Sequence, residues 1–357
     1  MAWPTPLPTT RRNTIVISPN RLVVLGDEVG CGDTSTVYAG VLESLHGTQR
    51  RVAVKVIDAV PPDEQEHVLP AIVSAVQQAA LVAHPNVATT YELAMDGDAP
   101  VVISEFIEGR SLASFIDAYA KVDRKVPPDL ALFIATEIAE GLAGARDARS
   151  LEGGLLNVIH GEPSARDVLL SYHGDVKLTD FGLAQAIRAA SGVRSIRSFA
   201  RRAVTLSPEV ARGRRPDARS DVFALGMLLR EMLVGPRWPA STSDQDAFAR
   251  AREGDMEMNV LEPRLYEPLA VILKRALEVD SSSRFPHAGA MAYELRRVGL
   301  PLGVGDNRFF LRHALQEMFA APEDDTAPDS GPDSGPDRTQ RRLTQPRPPR
   351  DTPSRAG

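Results

Sequence analysis

Two stretches in the first third of the chain carry residue types suited to holding phosphate. In Gly30-Cys31-Gly32-Asp33-Thr34-Ser35-Thr36-Val37-Tyr38 the glycines, lacking a Cβ, let backbone N–H groups approach an anion closely. A Gly-x-Gly turn in a hairpin is also often only a turn. Val52-Ala53-Val54-Lys55-Val56 sets one lysine among apolar neighbours, a costly place for a charge unless a phosphate or carboxylate pairs with it. The turn followed by the lysine-bearing strand is much more specific than either alone.

These residues need strands to position them, and the surrounding pattern supplies them. From Leu22 to Val56 short apolar runs alternate with Gly, Asp and Ser clusters, as expected for antiparallel strands joined by tight turns. Leu69, Ile72, Val73, Val76 and Ala80 recur at helical spacing. Val87–Leu93 and Val101–Phe106 read as further strands. Pro127 and Pro128 then introduce a helix bearing Leu130, Phe133, Ile134, Ile138 and Leu142. The remainder is mostly helical. Sheet first and helices later is α+β segregation, not the alternation of a doubly wound sheet.

Residues 1–20 hold Pro4, Pro6 and Pro8 and no periodicity, so a flexible leader is expected there, with the folded domain over 21–298. A linker and an amphipathic helix, Phe309–Phe319, are expected within 299–320. Beyond it, 321–357 is a Pro/Asp/Arg-rich tail with Pro-Asp-Ser-Gly twice, expected to be disordered. The 357 residues carry a net charge of -6 with the two signs interspersed, which argues against a nucleic-acid partner. No apolar run approaches the roughly 18 residues of a membrane span, and neither an export nor an anchoring signal is visible. Cys31, the single cysteine, excludes an internal disulfide and a thiolate metal cluster and fits a reducing, cytoplasmic setting.

Further segments follow the lysine in a fixed order: His84-Pro85-Asn86-Val87, Ser104-Glu105-Phe106-Ile107-Glu108-Gly109, and His160-Gly161-Glu162-Pro163-Ser164-Ala165-Arg166-Asp167-Val168-Leu169-Leu170. Asp180-Phe181-Gly182, Ser207-Pro208-Glu209, Asp221 and Ser283-Arg284-Phe285 complete the series. In type and order they resemble the eukaryotic-type serine/threonine protein kinases of bacteria, over about Leu22 to Val298. The resemblance implies an antiparallel-sheet lobe of five strands and one helix over 21–104, a hinge at 105–109 and a mainly helical lobe over 110–298. It implies ATP at the hinge near Glu105 to Ile107, with Mg2+ or Mn2+. Gly30 and Gly32 would cover the phosphates, Val37, Ala53 and Leu169 would enclose the adenine, Lys55 and Asp180 would face the phosphates, and Ser104 would be the gatekeeper. Arg284 would pair with Glu209.

Several positions depart from the family's pattern. The helix glutamate that should pair with Lys55 falls at Ala75, and the nearest upstream carboxylate, Glu66, lies roughly 13 Å away along a helix. Lys55 then depends on Asp180 or on nucleotide phosphates. Glu162 stands where relatives carry the catalytic Asp, and its extra methylene displaces the carboxylate by about 1 Å, enough to cost on the order of 100-fold. Asp167 replaces an asparagine and Ser164 a lysine, so the cleft is about two charges more negative than in relatives, and Gly161 replaces the arginine that relatives use to read activation-loop phosphate. Asp167 and Asp180 are expected to share a divalent ion, with ATP affinity poor in its absence. Arg202 stands where relatives carry a threonine that bonds the catalytic Asp, and a guanidinium cannot accept a hydrogen bond. Ser191, Ser195 and Ser198 are expected in an unmodified, solvent-exposed loop, phosphorylation by another kinase being the alternative.

Three functions fit these residues. One is a signalling pseudokinase that holds nucleotide and engages an unidentified protein partner. Another is a slow serine/threonine kinase for a protein substrate, using Glu162 as base and Lys55, Asp167 and Asp180 on the phosphates and metal. A third, transfer to a small molecule, is disfavoured by the Ser-Pro-Glu segment, Asp221 and Arg284.

Overall fold

The computed structural model describes residues 14–18, 21–32, 35–44, 46–58, 65–191, 203–239, 241–255, 266–302 and 307–319. Expected features at 321–357 and at Ser195, Ser198 and Arg202 lie outside these residues.

The first lobe is a six-stranded antiparallel sheet in the order β1-β2-β3-β4-β6-β5. Its strands are β1 (Thr14–Ser18), β2 (Arg21–Cys31), β3 (Ser35–Ser44), β4 (Gln49–Ile57), β5 (Thr90–Asp96) and β6 (Ala99–Glu105). β1 is a correction to the expected leader. Thr14-Ile15-Val16-Ile17-Ser18 alternates, burying Ile15 to 2% exposure while Val16 stays 67% exposed, and it pairs antiparallel with β2. The same period of two sets up β4: Val52, Val54 and Val56 point into the sheet's core, so Ala53 and Lys55 face the other way. Lys55 lies opposite Val37 on β3 and Val102 on β6, which fixes it in mid-sheet.

Helix α1 (Gln65–Ala79) crosses this lobe. Its buried stripe is Val68, Ile72, Val76 and Ala79, rotated from the expected one, which leaves Leu69 and Val73 half-buried and Ala80 exposed. The rotation follows from what the stripe meets: α1 packs on a later helix, α4 (Leu183–Ser191), whose Leu183 and Ile187 close an apolar cluster with Ile57, Val68, Ile72, Val76 and Val102. Ser191, expected in a loop, is therefore the last residue of α4.

The second lobe is mainly helical. After the short strand β7 (Gly109–Ser111) come α2 (Leu112–Lys121) and α3 (Pro128–Arg146), then strands β8 (Val168–Ser171) and β9 (Val176–Leu178), α4, and α5 (Pro208–Ala211). Helices α6 (Ala218–Val234), α7 (Asp244–Glu253), α8 (Glu267–Ala276), α9 (Ala288–Gly299) and α10 (Arg308–Phe319) complete it. Pro128 sits in the first turn of α3, where its missing N–H costs nothing. α6 is buried on nearly all sides, and a capping box between Asp217 and Ser220 satisfies its first N–H groups. α10 buries Leu311, Ala314 and Leu315 in the same core as α3 and α6. It packs on α2, where Arg124 meets Glu317 at 3.1 Å. No described helix is long and apolar enough to cross a membrane.

Candidate functional site

A cleft of about 710 Å3 lies between the sheet lobe and the helical lobe. Gly30, Cys31, Gly32, Val37, Ala53 and Lys55 line its roof, Ser104 to Gly109 its back and side, and Leu169, Asp167 and Asp180 its floor. Every residue expected to contact nucleotide thus faces one cavity. The strand alternation that hides Val52, Val54 and Val56 is what turns Ala53 and Lys55 toward it. At its side the chain passes so close to β8 that a Cβ on Gly109 would fall 1.9 Å from the Leu170 carbonyl oxygen, so only glycine fits. Glu105 lines the cleft, but its carboxylate is engaged: it pairs with Lys177 at 2.8 Å and accepts the Thr89 N–H at 3.0 Å.

Lys55 Nζ donates to Asp180, so one cleft carboxylate holds the lysine in place of a helix glutamate. Asp180 adopts φ +66, a region that aspartate tolerates better than most residues. Ala75 comes within 3.5 Å of the point where a Cβ on Gly182 would stand, so the helix position expected to carry the glutamate does face Asp180-Phe181-Gly182.

The loop from His160 to Asp167 is held from beneath by Asp221. Its carboxylate accepts the His160 N–H at 3.0 Å and the Gly161 N–H at 2.8 Å. Burial raises the Asp221 carboxyl more than His160 and the two N–H donors lower it, leaving it at about 6. The His160 ring packs 4.7 Å from Phe181 and its Nε2 lies 2.9 Å from the Thr179 carbonyl. Gly161 has φ +90, and a Cβ there would meet Gln185 Oε1 of α4 at 2.9 Å and Pro216 at 3.3 Å. An arginine at this position would carry backbone strain and would have to displace the Gln185 side chain.

Two of the sequence departures turn out to be coupled. Asp167 accepts both the Ser164 N–H at 2.9 Å and the Ser164 hydroxyl at 2.7 Å, so the serine in the lysine's place satisfies the carboxylate in the asparagine's place. Glu162 is placed differently from Asp167: it is 5% exposed, both carboxylate oxygens are shielded from solvent, and it is not among the residues lining the cleft.

Deeper in the helical lobe, Arg284 has no exposed side-chain surface and forms a two-pronged pair with Glu209, both contacts 2.8 Å. Burial pushes the Glu209 carboxyl up, and the hydrogen bond and charge of Arg284 outweigh it, leaving the carboxyl below its ordinary value. A second buried arginine, Arg237, had no sequence signal. Its guanidinium donates to the carbonyls of Ala203 at 3.2 Å, Val204 at 3.1 Å and Asp255 at 2.9 Å, and stacks 4.3 Å over Trp238. Burial lowers it to about 9, so it stays charged at neutral pH while tying the segment before Ser207 to the lobe. Its partners are backbone carbonyls 18 to 34 residues away, which residue types alone do not reveal.

Residues 23–291 match the model of the family described as protein tyrosine and serine/threonine kinase. The chain belongs to this family. Among curated kinases, it is 29% identical to serine/threonine-protein kinase PknB of Mycobacterium leprae over 279 residues, covering 77% of this chain and 42% of that one. It is 34% identical to serine/threonine-protein kinase PknL of Mycobacterium bovis over 209 residues, 58% of this chain and 48% of that one. To tyrosine-protein kinase MasK of Myxococcus xanthus it is 27% identical over 81% of this chain and 45% of that one. The chain thus spans less than half the length of these relatives. Kinases of this family use ATP with Mg2+ or Mn2+, and the kinase cleft here offers matching chemistry: a lysine, a glycine-rich edge, and the carboxylates of Asp167 and Asp180 as hard oxygen donors.

Proposed function

We propose that this chain is a kinase-fold signalling protein that holds ATP in the cleft between its lobes, transfers phosphate weakly or not at all, and acts by engaging a protein partner. The observation that carries the proposal is the burial of Glu162, at the position from which relatives take the proton of the accepting hydroxyl. A base must come within hydrogen-bond reach of the proton it removes, and a carboxylate outside the cleft does not.

In this reading Gly30 and Gly32 bring N–H groups to the phosphates, and Val37, Ala53 and Leu169 enclose the adenine. The main chain at Glu105 and Ile107 meets its edge. Lys55 gives up part of its hold on Asp180 to bind phosphate oxygens. Asp167 and Asp180 take a divalent ion, with Ser164 orienting Asp167. The bound ion supplies positive charge that offsets the phosphates. Because Ser164 and Asp167 leave the cleft more negative than in relatives, ATP binding depends on that ion. The single cysteine fits action in the cytoplasm.

A slower serine/threonine kinase is the second reading, favoured by the Lys55–Asp180 pair and by Asp167 lining the cleft. Calorimetric titration with ATP, with and without Mg2+, tests the binding half: heat is expected only with the ion and should vanish in Lys55→Met. Equal affinity without metal would remove the assignment of Asp167 and Asp180.

A further inference from the structure

Between α5 and α6 the chain runs Arg212-Gly213-Arg214-Arg215-Pro216, and three features set this loop apart. It is rigidly held. Arg212 N–H donates to the Pro208 carbonyl at 3.0 Å, Gly213 N–H to Val210 at 2.9 Å, and Arg214 N–H to Glu209 at 3.0 Å. At its far end Pro216 leads into the capping box of α6, and Asp217 N–H donates to Ser220 Oγ at 3.2 Å.

Its charge is also uncompensated. Arg212, Arg214 and Arg215 are all exposed, and none forms an ion pair among the described residues. The carboxylates nearby are committed elsewhere. Glu209 is held by Arg284, Asp221 is buried under His160 and Gly161, and Asp217 accepts the Arg219 and Ser220 N–H groups. A chain of net charge -6 has ample carboxylates to neutralise such a loop and does not use them there.

The loop's position gives the charge a use. Pro216 approaches to 3.3 Å the point where a Cβ on Gly161 would stand, so the arginines immediately precede a residue abutting the His160–Asp167 loop.

We propose that Arg212, Arg214 and Arg215 form a docking surface for an unmodified acidic segment, rich in Asp and Glu, of a partner protein. The proposal rests on the kinase-fold reading only in taking the approach to the His160–Asp167 loop as the place where a protein segment lies. Exposed guanidinium groups in near succession suit a run of single carboxylate charges. The buried arginine beside them, which could have helped pocket a phosphate dianion, is already engaged by Glu209. Three arginines within four positions span at most about 10 Å, too short a track for the extended basic surface of a nucleic-acid site.

Fluorescence anisotropy on the full chain tests this with a labelled twelve-residue Asp/Glu peptide. Comparison probes are the same peptide with Asn and Gln in place of Asp and Glu, a serine-phosphorylated peptide otherwise neutral, and a single-stranded oligonucleotide. The acidic peptide should bind, weaken as salt rises, and bind about tenfold less well to the triple variant R212S/R214S/R215S, while the triple Lys variant keeps binding. Unchanged binding by the Ser variant overturns the proposal, as does tighter binding of the phosphopeptide or oligonucleotide than of the acidic peptide. Melting temperature, with and without ATP and Mg2+, is read on each protein. A parent chain that binds the peptide but gains no stability from nucleotide leaves this proposal standing and counts against the nucleotide reading alone.

Discussion

Replacing Asp221 with Asn keeps the side chain's shape and removes the charge on which the His160–Asp167 loop rests. In the parent, one carboxylate accepts two backbone N–H groups, at 3.0 and 2.8 Å, in a site without solvent. An amide can accept only one, because its NH2 would face the other donor, so a charge-assisted hydrogen bond worth about 1.5–3 kcal/mol is lost. Against this, burial makes the ionised carboxylate expensive. Its folded value of about 6 exceeds the ordinary 3.8, so between these values the folded state binds the proton more tightly than the unfolded chain does. Stability of the parent therefore falls as pH rises through this window, by about 3 kcal/mol in all, and is level above it. Asp221→Asn lacks this term. Urea unfolding of both proteins at intervals from pH 4 to pH 7.5 isolates it, since other groups titrate alike in the two and cancel in the difference. The parent's stability relative to the variant should decline from pH 4 to about 6.5 and then hold steady. A difference independent of pH would refute the assignment of Asp221 as a buried, ionisable support.

Arg284→Met should cost about 3–5 kcal/mol in the same unfolding assay, because it strands the Glu209 carboxylate in a partly buried site. The Glu209 carboxyl lies below its ordinary value, so the parent's advantage over this variant is full above the ordinary carboxylate range and shrinks as pH falls through the lowered value. Gly109→Ala forces a shift of the hinge away from the Leu170 carbonyl, so about 1–3 kcal/mol of stability should be lost, and the stabilisation by ATP with Mg2+ should shrink with it, both read from melting curves.

The parts of this molecule that rest on local pattern could be read from the sequence. The apolar run around Lys55 reads as a strand, and Pro127-Pro128 marks the start of α3. The pairing of Arg284 with Glu209 came through the resemblance, since 75 residues separate them. β1 escaped because five residues beside a proline-rich stretch offer little more than a single buried isoleucine as signal. The rotated stripe of α1 depends on Leu183 and Ile187, which approach only in the folded chain. In the site, the sequence offers Lys55 either Asp180 or phosphate as its partner, and the structure joins it to Asp180. The burial of Glu162 had no sequence signal at all, because a glutamate between glycine and proline reads as an exposed loop residue.

Phosphoryl transfer measured directly bears hardest on the central claim, that Glu162 is shut away from the cleft it would have to serve. Purified chain would be incubated with labelled ATP, Mg2+ or Mn2+ and protein acceptors both basic and rich in Asp and Glu, beside Glu162→Asp and Asp180→Ala. The account predicts incorporation by the parent no greater than by Asp180→Ala, with nucleotide-dependent stabilisation of the parent retained. Turnover by the parent at the rate of ordinary family members, abolished in Asp180→Ala, would contradict it.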